Sequence, residues 1–258
     1  MTQACWTVSF KEIVLAMSAT AMLLVTPQVS FAESVAQSDS APPHDLDAAI
    51  ERYIRTHPEV IEQSLHALEV KREAEEKERR KAIIAARQDD LLNDPASPVS
   101  GNPTGTIALI EFFDYRCGYC KRAGGAVAQL QQEDSRVRVV YKDFPILGEP
   151  SELAAKAALS ANLQGKHQVF HERVLASKNE MTKDELLRIA KQVDLDPKRL
   201  ETDMANPEWQ TIIDRNRALA KELGITGTPG FIVGTEMVPG ALDVKGLKEL
   251  IARAGENK

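Results

Sequence analysis

From residue 45 the apolar positions fall at helical spacing. Leu46, Ala49, Ile50 and Tyr53-Ile54 recur three and four residues apart, which predicts an amphipathic helix. Thr56-His57-Pro58 interrupts it, and Pro58 suits the first turn of a second helix that carries Val60-Ile61, Leu65 and Leu68. That helix runs into residues 69–80, where charges of both signs alternate and almost no apolar face survives. Such a stretch suits a solvated helix laced with pairs four residues apart. Residues 93–105, rich in Pro, Gly and Ser, break the periodicity and predict a connector. Ile107-Ala108-Leu109-Ile110-Glu111-Phe112-Phe113 is then a nearly continuous apolar run, as in a strand covered on both faces. Residues 123–132 return to helical spacing and 136–141 read as a second strand, making a βαβ unit.

Helices dominate the next stretch. Ser151-Glu152-Leu153 opens one that Gly165 ends, and Phe170, Val174 and Leu175 mark the buried side of another. Thr182 and Glu185 have capping-box spacing. Asp196-Pro197 and Asn206-Pro207 open two more helices, the last burying Trp209, Ile212-Ile213, Leu219 and Leu223 and stopping at Gly224. Gly230-Phe231-Ile232-Val233, a Gly234-Thr235 turn and Glu236-Met237-Val238 predict a hairpin, followed by a helix over 243–251. The order is βαβ, helices, ββα, an α/β arrangement.

The beginning of the chain follows another pattern. Lys11 precedes two apolar runs, Ile13-Val14-Leu15-Ala16-Met17 and Ala21-Met22-Leu23-Leu24-Val25, and Ser30-Phe31-Ala32 offers small residues where a signal peptidase cuts. Residues 1–32 read as a secretory signal peptide cleaved after Ala32, giving a periplasmic protein. The alternative is a membrane anchor, but about a dozen apolar residues fall short of the ~20 that span a bilayer. Residues 33–44 read as a linker. The net charge of −6 over 258 residues, with no basic run, argues against a nucleic-acid partner.

Three cysteines are present: Cys5, Cys117 and Cys120. Cys5 leaves with the signal peptide and is not at the cleavage point. The remaining pair, Cys-Gly-Tyr-Cys, closes almost no loop, so as a structural staple it would constrain the unfolded chain very little. Its use is chemical. Cys117 stands where a strand hands over to a helix, where free backbone N–H groups and the helix dipole favour a thiolate. Lys121 and Arg122 add positive charge in the first turn. Cys117 is thus the candidate nucleophile and Cys120 the resolving thiol. A permanent disulfide or half of a zinc site is the bland alternative. Zinc would need two further ligands, and the one nearby pair, His167 and His171, sits among Phe170 and Val174 as packing residues do. No metal is expected.

Residues 111–122, Glu-Phe-Phe-Asp-Tyr-Arg-Cys-Gly-Tyr-Cys-Lys-Arg, resemble the active-site segment of the DsbA-like thioredoxin superfamily. Cys-Gly-Tyr-Cys is the pairing of its isomerase branch, DsbC and DsbG, and Gly-Ile-Thr-Gly-Thr-Pro at 224–229 resembles the family's cis-proline loop. With the helical extension, the chain is most similar to the ScsC (suppressor of copper sensitivity) family. The resemblance implies a thioredoxin fold over residues 106–258 with a helical insertion at about 150–223, preceded by an N-terminal helical extension over 45–92. It implies that Pro229 is cis, that Thr228 offers its backbone to a substrate strand, and that Glu111 is a buried acid beneath the active site. A carboxylate in an apolar strand is costly without a task, and its task would be moving a proton to or from Cys120. The alternative for Glu111 is a strand-end surface residue. Gly118 and Tyr119 between the sulfurs, with Lys121 and Arg122, tune the pair. Tyr119 stands where strong oxidases carry a histidine, which predicts a weaker oxidant.

Three functions compete: a disulfide isomerase or reductase kept reduced by a membrane redox partner, an oxidase that donates its disulfide, and a Cu(I)-binding or chaperone module. The resemblance and Tyr119 favour the first, with the Cys117–Cys120 disulfide as the sole redox group and no separate cofactor. The expected clients are unfolded or misoxidised exported proteins. The narrow apolar stripe of residues 45–92 predicts a homo-oligomer, trimer or dimer, because a lone helix with such a stripe is marginal in water. The charged stretch, lacking a face to dock, is expected to span between units.

Overall fold

A computed structural model of the chain describes residues 43–256. The signal peptide, and nearly all of the linker, lie outside the described residues. Two units divide between Pro58 and Glu59. The first contributes one described helix, α1 (Pro43–Thr56), whose Leu46, Ile50, Tyr53 and Ile54 are all exposed.

The second unit begins with α2 (Glu59–Ala86), a single 28-residue helix, and a short α3 (Gln88–Leu92). Strands β1 (Val99–Gly101), β2 (Ile107–Phe113) and β3 (Val137–Asp143) follow, with α4 (Gly118–Glu133) crossing from β2 to β3. Five helices come next: α5 (Glu149–Leu163), α6 (His167–Ala176), α7 (Lys183–Gln192), α8 (Pro197–Asp203) and α9 (Glu208–Glu222). The hairpin β4 (Gly230–Val233) and β5 (Glu236–Pro239) and then α10 (Val244–Glu256) close the chain. The sheet order is β1-β3-β2-β4-β5, with β2 parallel to β3 and the other pairs antiparallel. This is the thioredoxin-type α/β fold with inserted helices that the sequence predicts. Gly234, at the hairpin turn, takes φ +58, a left-handed value that favours glycine.

Successive residues of β2 point to opposite faces. Leu109 and Phe113 pack with Val127 and Leu130 of α4, Phe170 of α6 and Leu250 of α10. Ile110 and Phe112 pack on the other face with Leu219 and Leu223 of the α9 end. Ile84 of α2 and Leu91 of α3 join this second cluster, each nearly fully buried. Both faces of β2 are therefore covered, as its unbroken apolar run requires.

This packing corrects two expectations. The charged stretch does dock at its C-terminal end: Lys77 pairs with Glu236 at 3.6 Å and Arg80 Nε donates to the Leu223 carbonyl at 3.2 Å. One turn on, Ile83 and Ile84 supply the apolar face that residues 69–80 lack. Residues 77–92 thus belong to the body of the second unit, and the exposed stripe is confined to α1 and the first half of α2, where Ile61, Leu65 and Leu68 remain exposed. The connector at 93–105, in turn, contains β1. Lys142 of β3, fully buried, fastens it by donating to the Asp90 carbonyl, to Ser97 Oγ at 2.7 Å and to Asp94 at 3.4 Å, while Arg215 reaches Asp94 at 2.6 Å.

The caps follow the sequence with one change. Thr182 accepts from Glu185 N at 3.2 Å and Asp196 accepts from Lys198 N at 2.9 Å. The Glu185 carboxylate, however, pairs with Arg188 and takes the Ser177 hydroxyl rather than closing the reciprocal half of a capping box.

Ile84→Ala tests the docking of α2. Truncating a buried isoleucine costs about 2–5 kcal/mol, read as a shift in the urea midpoint of the reduced protein. A change under about 0.5 kcal/mol, the range of exposed positions, would mean that α2 is not held on the sheet.

Candidate active site

The C-terminal end of β2 leads through Asp114, Tyr115 and Arg116 into Cys117, the N-cap of α4. Cys117 takes extended dihedrals (φ −68, ψ 119), and its side chain makes no capping bond, so the sulfur is left for chemistry. Its N–H donates to the Asp114 carbonyl at 3.1 Å and its carbonyl accepts from Lys121 N at 3.0 Å. Both cysteines are free thiols. Cys117 is 8% exposed and Cys120 fully buried. Burial pushes the Cys120 thiol far up, and the neighbouring charges of Glu111 and Cys117 add to the effect.

The distant loop arrives where the resemblance implies. The Thr228–Pro229 bond is cis, and the Cys117 thiol donates to the Thr228 carbonyl at 3.2 Å. Glu111 is not at a surface strand end: it is 1% exposed, in register with Tyr141 on one side and Phe231 on the other. Neither of its carboxyl oxygens has a hydrogen-bond partner, and burial raises it to about 8.

The flanking cations have defined seats. Lys121 Nζ donates to the Ser177 carbonyl at 2.6 Å, and burial lowers its pKa, with Arg116 contributing. The Arg122 guanidinium lies 4.2 Å over the ring of Tyr119, which is 60% exposed. Gly118 is exposed beside it.

Other groups at the site carry only weak marks in the sequence pattern. Asp114 is buried and clamps three segments: its carboxylate accepts from Arg116 N at 2.7 Å, Ser151 Oγ at 2.8 Å, Ile146 N at 2.8 Å and Leu147 N at 3.0 Å. An Asp just ahead of a helix start is a local turn signal, but its three long-range partners are not local. Tyr115 donates to or accepts from His171 Nδ1 at 3.0 Å, and His171 stacks on His167 at 5.3 Å. Both histidines are buried, as packing residues, and burial lowers His167 to about 3 and His171 well below its usual range. Asp143, at the end of β3, is buried with both oxygens unpartnered and is raised to about 8 by burial, the Asp114 charge adding.

A DSBA-like thioredoxin domain matches residues 108–252, which holds both cysteines, Glu111 and the cis-proline loop. The chain belongs to the DSBA-like thioredoxin family. Among solved structures, the chain is similar to a thioredoxin-like oxidoreductase from Silicibacter pomeroyi DSS-3, at 44% identity with a TM-score of 0.63, the match covering 65% of this chain and 97% of that one. The catalytic domain of Proteus mirabilis ScsC is 27% identical with a TM-score of 0.62, covering 67% of this chain and 97% of that one. A sodium/proton antiporter, NhaA 3 of Salinispora tropica, is 28% identical over 68% of this chain, but this covers 28% of the antiporter. The chain spans about a quarter of the length of the curated relatives it matches. What they share with this DSBA-like chain is a segment.

The raised carboxyls make stability pH-dependent. From their ordinary values of 4.5 and 3.8 up to about 8, Glu111 and Asp143 stay protonated in the folded protein while the unfolded chain ionises. Each then removes about 1.4 kcal/mol of stability per pH unit of rise. His167 and His171 act oppositely, but only below their ordinary value of 6.5, where the unfolded chain binds protons that the folded one refuses. Between pH 6.5 and 8 the histidine contribution fades and the carboxyls dominate, so the reduced protein loses stability as pH rises. Denaturant melts across this window with Glu111→Gln should show the slope reduced by about one proton; an unchanged slope would place Glu111 in contact with water.

Proposed function

We propose that the chain is an exported protein thiol–disulfide oxidoreductase of the isomerase or reductase kind. The observation that carries this reading is the alignment of three elements: a slightly exposed Cys117 at the start of α4 against the Thr228 carbonyl, a buried Cys120, and an unpartnered Glu111 carboxyl whose charge acts on the Cys120 thiol. In reduction, the Cys117 thiolate attacks one sulfur of a client disulfide. The S–S bond breaks, a Cys117–client disulfide forms, and the released client thiolate takes a proton from solvent. Glu111, raised to about 8, first releases its proton to solvent in a minority of molecules near neutral pH; that carboxylate then takes the Cys120 proton, and the Cys120 sulfur attacks Cys117 Sγ. The second client sulfur leaves as a thiolate and takes back the proton held by Glu111, and the Cys117–Cys120 disulfide remains, so the client has gained the two electrons the protein has lost. A carboxyl raised to about 8 suits this exchange, since it both accepts and returns a proton near neutral pH. In isomerisation another client thiol attacks the mixed disulfide and restores the dithiol, so no net electrons pass.

The reductase or isomerase poise rests on Tyr119, which places no positive charge between the sulfurs. It also needs a membrane redox partner to keep the dithiol reduced. Misoxidised exported proteins are the clients this reading implies, and the N-terminal signal pattern supports the periplasm as their compartment. The exposed apolar residues of α1 and of the first half of α2 support assembly into a dimer or trimer through them, which would set several sites around one client.

Two experiments test these statements. Cys120→Ala should accumulate mixed disulfides with client proteins on non-reducing gels and Cys117→Ala should not; equal trapping by both would reverse the roles. A chain beginning at Arg72, which keeps the docked turns of α2, should be monomeric by light scattering, exchange disulfides and fail to isomerise a scrambled protein. Full mature protein that is already monomeric would remove the assembly.

A further inference from the structure

A groove of about 610 Å³ runs beside Tyr119 and the cis-proline loop. Its floor is apolar, with Ile225, Pro229 and Met237, and its two charged residues are arginines: Arg122 of α4 and Arg80 of α2. No carboxylate lines it. We infer that this groove selects client segments carrying a carboxylate beside the exchanging cysteine, and that Arg80 is a residue setting that specificity. The inference rests on the exchange activity proposed above and names its substrate class.

The charge pattern carries the argument. The chain is acidic overall, at −6, and several arginines of the second unit are neutralised internally. Arg87, Arg136, Arg188, Arg199, Arg215 and Arg217 each sit in an ion pair. Arg80 and Arg122 pair with no carboxylate among the described residues, although Lys77, one turn before Arg80, pairs with Glu236. Arg116 and Lys121 at the same site are likewise held by backbone carbonyls, of Leu147 and Ser177, rather than by acids. Arg80 and Arg122 in the groove, with Arg116 and Lys121 flanking the two cysteines in sequence, are cations without a carboxylate partner in an acidic protein, and together they make a local positive field that steers anionic partners.

Arg80 is also prepared for a ligand. It is half-buried, and its Nε is spent on the Leu223 carbonyl at 3.2 Å, which fixes the guanidinium while leaving both Nη groups without a partner among the described residues. A fixed guanidinium fork offers two parallel donors to a carboxylate at little further entropic cost. The apolar floor takes the flanking side chains of an extended strand. The helix that the sequence marks as an extension thereby becomes one wall of the substrate site.

The test measures how fast the reduced wild-type protein reduces three short synthetic peptides, each with one internal disulfide, differing only in Asp-Asp, Asn-Asn or Lys-Lys next to a cysteine. Acid quenching and chromatography read the rates. The Asp-Asp peptide should react about 10-fold faster than the Asn-Asn peptide at low salt, and the ratio should shrink as salt rises. Arg80→Gln should cut the ratio at least about 3-fold and Arg80→Lys should recover part of it. Equal rates for all three peptides in the wild type overturn the selectivity; an Arg80→Gln ratio equal to wild type overturns the part given to Arg80. Exchange with none of the peptides overturns the activity itself and this inference with it.

Discussion

A carboxyl group without a hydrogen-bond partner sits at the centre of the sheet, and the placement of everything else at the site follows from keeping it there. Glu111 is tolerated because it is carried protonated, and it stays protonated because both faces of β2 exclude water. One face is closed by α4, α6 and α10; the other by α9 and by the docked turns of α2 with α3. The same burial denies Cys120 its anion until a base takes its proton. An exposed Glu111 would be a permanent anion near pH 7, a poor proton carrier for a thiol.

Helix α2 therefore has two unlike halves. Its first half shows apolar residues to solvent. Its second half inserts Ile84 into the core and brings Arg80 to the rim of the groove beside the cis-proline loop. A helix that is continuous over 28 residues links these halves mechanically. Whatever packs on the first half is thus coupled, through one rigid rod, to the wall of the substrate groove.

Asp114 and Lys142 show a related economy. Each is a buried charged group most of whose bonds fasten distant chain segments: Asp114 the loop at 146–147 and the start of α5, Lys142 the segment at 90–97. Charged anchors of this kind are weak sources of stability but strongly specify one arrangement, since a displaced partner leaves a buried charge uncompensated. The loop that Asp114 holds also takes the Arg116 guanidinium at Leu147, so the same anchor orders one of the cations around Cys117.

Much of this was readable from the chain because it is local. Strand β2 announced itself by an unbroken apolar run, α7 and α8 by Thr182 and Asp196 three and two residues ahead of the N–H groups they cap, and the redox pair by two sulfurs one helical turn apart after that strand. The resemblance carried Glu111, Thr228 and Pro229 to their places. Beyond such spacing the sequence was silent. Val99-Ser100-Gly101 is too short and too polar to declare a strand until Val139 and Val140 are there to pair with it and Tyr141 to bond Ser100. Ile83-Ile84 and Leu91 are plainly apolar, yet nothing along the chain says whether their partner is this sheet or another molecule. Asp114, Asp143 and Arg80 owe their significance to residues far away along the chain, up to 143 positions in the case of Arg80. Local spacing determines which elements form because hydrogen bonds and side-chain faces repeat along the backbone; burial, and with it the protonation of Glu111 and the freedom of Arg80, is decided only when distant segments close over one another.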